Sequence, residues 1–317
     1  MSRFGNRDGV SKSLPAYDRR FVHPRYWGIW LAVGFLRLTS LLPYAGRVIL
    51  GGAIGRGLYH VMQRRRRIAR TNFELCFPEM SETAREKLLR AHFRSLGIAL
   101  LEMGAAWWAS DRRLKGLARI TGLEHLANAL AKGRGAILLS AHFVSLEMGL
   151  RLLSRVQYGC AVYRPQNNPL LDVLIKRGRL RVRGMLIARD DVRGLLAALK
   201  ANHPVWYPPD QDYGRRHSEF ADFFGRPAAT ITTPARFAKL SGAPVVPFYF
   251  HRLPGFRGYE LVVHPPLENY PSGDPAADAR TQNAVLEEAI RRTPDQYLWV
   301  HRRFKTRPDG EPDVYTR

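Results

Sequence analysis

Short apolar runs alternate with longer amphipathic stretches along the chain from residue 117 onward. Such runs, bounded by turn-forming residues, are typical of buried strands. They occur at residues 136–140, 160–163, 185–188, 205–207, 244–250 and 260–264. Helical stretches lie between them, for example at residues 168–181, 191–201 and 233–241. This alternation predicts an α/β fold with a mostly parallel sheet flanked by helices, in which a ligand would bind at the carboxyl ends of the strands.

Residues 26–62 form an apolar and aromatic segment that Arg37, Pro43 and Arg47 interrupt. A membrane-spanning helix needs roughly 20 apolar residues. The stretch 27–42 is shorter than that and contains an arginine. We therefore predict an apolar membrane-anchoring segment, which either crosses the membrane once or lies in its surface as interfacial helices. The alternative is a pair of helices buried in the core.

The residues around this segment suit a membrane surface. Tyr26, Trp27 and Trp30 are the side chains of an interfacial aromatic belt, and the basic run 63–70 would bind anionic headgroups on the cytoplasmic side. Further basic residues before the segment weaken any orientation based on charge alone. The resulting division of the chain is a basic N-terminal tail at 1–25, the anchor or interfacial helices at 26–62, and a C-terminal domain at 63–317.

Composition limits the classes of partner and site. The 50 Lys and Arg residues outnumber the 27 Asp and Glu residues, so the net charge of +23 predicts attraction to polyanions such as nucleic acid, anionic lipid or an acidic carrier protein. The hydrophobic content of 45% is enough for a packed core. Two cysteines make a disulfide framework improbable and favour a reducing compartment. The ten histidines show no metal-ligand spacing, so we predict no metal site.

The segment LLSAHFVSLEMG at residues 138–149 places a histidine just past a predicted strand and a glutamate five residues later. On one helix the two side chains would lie roughly 140° apart and could not meet. A strand, turn and helix would instead put His142 in the turn and Glu147 where it could reach back. A carboxylate on one imidazole nitrogen leaves the other free to take a proton, as a general base requires. The alternative is a structural histidine beside a solvated glutamate.

Other polar clusters follow strands in the same way. Arg164 follows one strand in VYRPQNNP, and Asp210 and Asp212 follow another in WYPPDQDYG. Charged motifs at one edge of a parallel sheet indicate a binding site there. The basic runs 176–184 and 301–307 add positive charge that suits phosphate or sugar-acid groups.

Together these motifs resemble a known family. The chain contains HFVSLE, YRPQNNPLLD, GRLR, WYPPDQDYG and the C-terminal DQYLWVHRRFKTRPDG, preceded by HPRYW and NFELCFPEM. In this order they are similar to the late (secondary) acyltransferases of lipid A biosynthesis, the lauroyltransferase type especially, within the glycerolipid acyltransferase superfamily. The resemblance covers nearly the whole chain.

The resemblance implies an inner-membrane enzyme whose acyltransferase domain, residues 63–317, faces the cytoplasm. Such enzymes transfer a fatty acyl group, here laurate or a similar chain, from acyl carrier protein to a 3-hydroxyacyl chain of a Kdo-lipid IVA type precursor in lipopolysaccharide biosynthesis. The expected partners are acyl carrier protein, the lipid A precursor and the anionic inner membrane. No cofactor is expected beyond the acyl carrier protein thioester, which is a co-substrate.

The resemblance also implies roles for individual residues. His142 would remove the proton of the acceptor hydroxyl, and Glu147 would orient and support the imidazolium; the superfamily's commoner pattern, HxxxxD, has an aspartate there. This reaction requires no covalent acyl-enzyme, and the lack of a GxSxG elbow in the sequence agrees with that. Arg164, Arg179 and Asp210 are the expected substrate-binding residues. The arginines would hold anionic groups or polarise the thioester oxygen, while Asp210 could contact substrate or act as a structural anchor.

Two alternative functions differ in substrate or in class. An enzyme of the same superfamily could acylate another lipid acceptor, such as a lysophospholipid. A basic nucleic-acid-binding protein would account for the charge. Against the second, the sequence shows no helix-turn-helix, zinc-finger or RNP pattern, and we expect no nucleic-acid partner.

Overall fold

A seven-stranded sheet organises the chain in the computed structural model, which describes residues 15–181 and 184–316. The sheet order is β1-β9-β8-β2-β5-β3-β4, and a separate antiparallel hairpin pairs β6 with β7. Within the sheet, β8 and β9 run antiparallel to each other, and each of the other neighbouring pairs is parallel. The strands are β1 Ala118–Thr121, β2 Ala136–Leu139, β3 Cys160–Tyr163, β4 Met185–Ala188, β5 Pro204–Tyr207, β6 Ser218–Phe223, β7 Arg226–Ile231, β8 Val245–Arg252 and β9 Tyr259–Val263.

Helices precede the sheet and connect its strands. Asn168 caps α8, because its side-chain oxygen accepts hydrogen bonds from two backbone N–H groups of the first turn. The helices are α1 Trp27–Thr39, α2 Tyr44–Val61, α3 Gln63–Cys76, α4 Glu82–Trp108, α5 Asp111–Leu114, α6 Leu123–Leu130, α7 Leu146–Leu153, α8 Pro169–Leu180, α9 Val192–Lys200, α10 Thr233–Ser241 and α11 Pro275–Arg292. The predicted α/β fold with a mostly parallel, helix-flanked sheet is confirmed.

The N-terminal helices α1 and α2 pack against the long helix α4. Glycines allow the backbones of α2 and α4 to touch: a Cβ atom on Gly97 would lie 2.3 Å from the carbonyl oxygen of Gly51 and 2.3 Å from the nitrogen of Gly55. Side chains on one face of these helices, such as Leu36 and Val48, are buried.

No helix in residues 15–181 and 184–316 is both long and apolar enough to cross a membrane. The prediction that residues 26–62 cross the bilayer once is therefore not supported. The physical reason is that the segment folds as two helices of 13 and 18 residues, separated by a turn at Ser40–Pro43, and the second contains Arg47 and Arg56. Most of the predicted basic tail, residues 1–14, lies outside the described residues, as do residues 182–183 of the basic run 176–184.

The C-terminal segment after α11 packs back into the core instead of forming another layer. Trp299 is fully buried in an aromatic cluster with Phe73, Phe77 and Tyr297. The side-chain amide of Asn72 on α3 donates to two backbone carbonyls, that of Trp299 at 2.7 Å and that of His301 at 2.8 Å. These contacts fix the segment beside the carboxyl ends of the central strands.

Candidate active site

His142 and Asp210 meet at the carboxyl ends of two neighbouring parallel strands. Leu139 of β2 pairs with Tyr207 of β5, and each of the two polar residues follows three positions later. Nδ1 of His142 lies 2.7 Å from Oδ1 of Asp210. The backbone N–H of His142 donates to Oδ2 of the same carboxylate at 3.0 Å. One carboxylate thus fixes both the backbone and the ring of His142.

Asp210 is the buried member of this pair. Its side chain is 1% exposed, whereas that of His142 is 20% exposed. Burial opposes ionisation of the carboxyl, but the charge of the nearby imidazole and two hydrogen bonds from His142 outweigh it and hold the pKa of Asp210 below its ordinary value. An ionised carboxylate can only accept, so Nδ1 of His142 carries the donated hydrogen, and in the neutral ring Nε2 is the nitrogen that can accept a proton.

The turn that carries His142 is clamped by the C-terminal segment. The N–H of Leu298 donates to the carbonyl of His142 at 3.0 Å, and the N–H of Val144 donates to the carbonyl of Gln296 at 2.8 Å. The indole of Trp206 packs against the imidazole, with the ring centroids 6.1 Å apart. The position of His142 therefore depends on two other parts of the chain, the end of β5 with the loop after it and the C-terminal segment.

Glu147 lies in the first turn of α7, as predicted, but its carboxylate contacts other residues. Nε and Nη2 of Arg179 on α8 both donate to Oε1, the former at 2.9 Å. The indole N–H of Trp107, at the end of α4, donates to Oε2 at 2.9 Å. The prediction that Glu147 contacts the imidazole is wrong. The helix α7 directs this carboxylate toward α8 and α4, and the hydrogen-bond partner of the His142 Nδ1 is Asp210 instead. The pair Glu147–Arg179 links these helices.

Arg164 lines a cavity that opens beside His142. The cavity encloses about 1000 Å³ of space, part of it open to solvent. Its lining carries more basic than acidic groups, with Asp190 as the acidic member. Guanidinium groups in such a cavity can bind phosphate or carboxylate oxygens in bidentate geometry. The basic and imidazole-bearing residues of the lining are His142, Arg164, Arg189, Arg216 and His217.

Arg179 is not among the residues that line this cavity. Its guanidinium is paired with the Glu147 carboxylate. A direct contact between Arg179 and substrate therefore remains a prediction. The sequence motifs predict neither Arg189 nor Arg216 as a site residue. A signal for Arg189 exists, since it follows β4 directly at the same edge of the sheet.

Asp212 anchors the C-terminal segment to the same edge. Its carboxylate accepts from the N–H and the hydroxyl of Thr306 at 2.6 and 2.8 Å. The N–H of Asp212 donates to Nε2 of His301 at 3.2 Å. Burial lowers the pKa of His301 to about 4, so its ring is neutral near pH 7 and can accept this hydrogen bond. The run 301–307 is predicted as positive charge for anionic groups, but His301 at its start is instead a neutral acceptor for the backbone of Asp212.

Comparisons with known proteins match this chain over nearly its whole length. A family model described as bacterial lipid A biosynthesis acyltransferase matches residues 14–306. The lipid A biosynthesis lauroyltransferase of Escherichia coli (strain K12) is 43% identical over 304 residues, which cover 96% of this chain and 99% of that protein. The lipid A biosynthesis palmitoleoyltransferase of the same organism is 43% identical over 300 residues, 94% of this chain and 98% of that protein. A lipid A biosynthesis acyltransferase of Haemophilus influenzae is 38% identical over 310 residues, with 96% and 99% covered.

Proposed function

Because this chain belongs to the bacterial lipid A biosynthesis acyltransferase family, we propose that it transfers a fatty acyl group from acyl carrier protein to a hydroxyl of a Kdo-lipid IVA type precursor. The chain is an acyltransferase of lipid A biosynthesis; the donor, the acceptor and the acyl chain are the proposed part. The observation that carries the proposal is the imidazole of His142, which is held by a buried carboxylate at the wall of a cationic cavity.

His142 acts as the general base of the transfer. Nε2 takes the proton of the acceptor hydroxyl as its oxygen attacks the thioester carbonyl. The new C–O bond forms, the C–S bond breaks, and the leaving thiolate takes the proton back from the imidazolium. Asp210 stabilises the transient positive charge on the ring and fixes its tautomer, the role of the buried carboxylate in a hydrolase triad. The enzyme returns to its starting state without a covalent intermediate.

Glu147 acts as a positioning residue in this proposal. Its contacts with Arg179 and Trp107 tie α7, which begins four residues after His142, to α8 and α4. The removal of the carboxylate would leave a half-buried guanidinium without its counter-charge and an indole N–H without its acceptor. The effect on catalysis would then come from a displaced α7 and not from a lost contact to the imidazole.

The cavity beside His142 supplies the contacts for anionic groups. Arg164, Arg189 and Arg216 lie where a phosphate or sugar-acid carboxylate of the acceptor, or a phosphate of the donor, could be bound. An anionic membrane and an acidic carrier protein would both be attracted by the net charge of +23. The chemical character of these groups supports a lipid A precursor over an uncharged acceptor.

The N-terminal helices form the membrane-facing part of the enzyme. Several large apolar side chains of this region are exposed, including Val22, Trp27, Leu31 and Leu38. The arginines at 64–67 follow directly at the start of α3. An exposed apolar face beside a basic run binds the interface of an anionic bilayer without crossing it. We place the enzyme on the inner membrane with residues 63–317 on the cytoplasmic side.

An acyl-transfer assay read by mass spectrometry tests the proposal. The wild-type protein in membranes is offered Kdo-lipid IVA and a ladder of acyl carrier protein thioesters, and the product should gain one acyl chain. His142→Ala should abolish transfer, and Asp210→Asn should lower kcat on the order of 10³-fold or more, because an amide does not stabilise the imidazolium. Exposed His60→Ala and Asp222→Asn are the matched controls, and both should keep wild-type rates.

Two results would contradict this function. Transfer to a lysophospholipid but not to Kdo-lipid IVA would keep the acyltransferase and change its acceptor. Persistent transfer by folded His142→Ala protein would mean that the turn after β2 is structural.

A further inference from the structure

A narrow apolar cleft lies on the face of the sheet beneath α7 and α8. It encloses about 630 Å³ of space, part of it open to solvent. Its floor includes one side chain from each of four neighbouring strands, β2, β5, β3 and β4. These are in register with one another and therefore project from the same face of the sheet. The four residues are Leu138, Trp206, Ala161 and Leu186.

A second row of the floor has almost no side chains. Pro204, Gly159 and Gly184 each precede a member of the first row by two residues, and all three line the cleft. Rows two residues apart lie on the same face and are separated by roughly 6.6 Å. The N–H of Met185 donates to the carbonyl of Gly159 at 3.0 Å, so the register continues through this row. The two glycines and the small side chain of Ala161 leave the floor open.

The cleft extends along α7 from its first turn to beyond its last turn. Glu147 lines one end and Gln157 the other. The helical part of this span, residues 147–153, corresponds to a length of roughly 9 Å, and the turn after α7 continues the lining to Gln157. The end at Glu147 is next to the reacting imidazole, since Trp206 both lines the cleft and packs against His142. The Glu147 carboxylate there is neutralised by Arg179, so an apolar chain that enters meets no unpaired charge.

We propose that this cleft holds the hydrocarbon tail of the acyl donor and that Gly159, Ala161 and Gly184 set the longest chain that fits. The inference rests on the proposed acyl transfer and adds the residues that choose the chain. The basic cavity on the other side of His142 takes the polar and anionic groups, so the thioester carbonyl lies at the junction of the two spaces. Each methylene group that the cleft cannot accommodate lowers kcat/KM about fourfold.

Two substitutions on the floor should shift the chain preference in opposite directions. Ala161→Leu fills the open floor and should favour shorter thioesters, with the rate on the shortest ones close to that of the wild type. Leu186→Ala widens the same row and should favour longer thioesters. The measurement is kcat/KM over a ladder of saturated acyl carrier protein thioesters with one acceptor. Ala127→Leu, at an exposed position of α6, is the control for the added side chain and should keep the wild-type ranking.

The outcomes separate this inference from the proposed function. If the wild type transfers acyl groups but both active variants keep its ranking, the tail lies elsewhere and the inference is wrong. If Ala161→Leu is inactive with thioesters of every chain length, Leu186→Ala decides alone: a shift of its preference toward longer chains supports the inference, and an unchanged preference contradicts it. If the wild type acylates no lipid A precursor, the proposed function itself fails.

Discussion

A single buried carboxylate fixes the ring orientation and the tautomer of His142. Asp210 accepts from both the ring and the backbone of this residue, so the imidazole cannot turn without the loss of a charge-assisted hydrogen bond. Since Asp210 itself is buried, that loss would leave an ionised carboxylate in the interior with fewer donors. The pair is thus preorganised before substrate binds, which is the condition for efficient proton transfer at a fixed site.

The sequence predicted both members of this pair but not their partnership. The pattern of a polar residue after an apolar run predicts His142 and Asp210 separately. Their contact depends on β2 and β5 being neighbours in the sheet, although β3 and β4 lie between them in the chain. Glu147 was the obvious partner because it is close in sequence. Arg179 and Trp107, which bind it, come from helices whose packing the local pattern does not specify.

Two buried histidines make the fold sensitive to acid. Burial lowers the pKa of both His92 and His301 to about 4. Nδ1 of His92 lies 3.0 Å from the backbone carbonyl oxygen of Asp295. The unfolded chain takes up these protons near pH 6.5, so stability is complete above that pH and falls as the pH drops toward 4. Each histidine should lower the free energy of unfolding by about 2 kcal/mol between pH 7.5 and pH 5.

Urea unfolding at the two pH values measures this loss. His92→Gln should remove about half of the loss in unfolding free energy that these two histidines cause between the two pH values. The glutamine can still donate to the same carbonyl but does not titrate. The exposed His60→Gln serves as the control and should leave the pH dependence unchanged. An equal pH dependence in the wild type and His92→Gln would show that His92 does not drive the acid sensitivity.

At the scale of elements, the central strands were predictable because they are buried. Residues of β2 are fully enclosed, and β5 and β8 are largely so, which produces continuous apolar runs. The edge strand β1 was not predicted, nor was the hairpin of β6 and β7. Among the described strands β1 pairs with β9 alone, and it is partly exposed, so its short sequence carries no apolar run. In β6, buried and exposed positions partly alternate, and the surrounding polar residues mask that period.

The contact between α2 and α4 depends on the absence of side chains. A methyl group on Gly97 would collide with backbone atoms of Gly51 and Gly55 that cannot move independently. Gly97→Ala should therefore destabilise the fold by about 1–3 kcal/mol, in spite of alanine's higher helix propensity.

Gly57 on α2 provides a matched control, because a Cβ atom there would have no neighbour within 4 Å. Gly57→Ala should stabilise the protein by up to about 1 kcal/mol. Thermal or urea unfolding compares the two variants. Equal stability of Gly97→Ala and the wild type would mean that the helices can separate without cost.

At the scale of the whole molecule, positive charge and exposed apolar surface occur together near the N terminus of the described chain. The apolar side chains lie on α1, on α2 and in the turn before α1, and the arginine run opens α3. Only part of this was predictable from sequence. Composition indicated an anionic partner, and the aromatic residues indicated an interface. Which side chains stay exposed follows from the packing of both helices on α4.

Vesicle sedimentation tests the membrane-facing role of this surface. The wild type should bind vesicles that contain anionic lipid, and added salt should weaken the binding because the charges are screened. Leu31→Ser should lower the partition coefficient about tenfold, since a side chain that is 76% exposed in the free protein would lose its burial in lipid. Leu240→Ser on α10, where the leucine is 60% exposed, should have no effect. An equal loss in both variants would contradict the assignment of the surface.

The clamp that the C-terminal segment places on the His142 turn means that this turn is completed late in the synthesis of the chain. Gln296 and Leu298 supply two of the backbone contacts of that turn, and Thr306 secures the loop after β5. A ribosome makes these residues only after every strand of the sheet. A nascent chain whose sheet has already left the exit tunnel still lacks these contacts, so the His142 turn acquires its full set of hydrogen bonds only when this last segment docks.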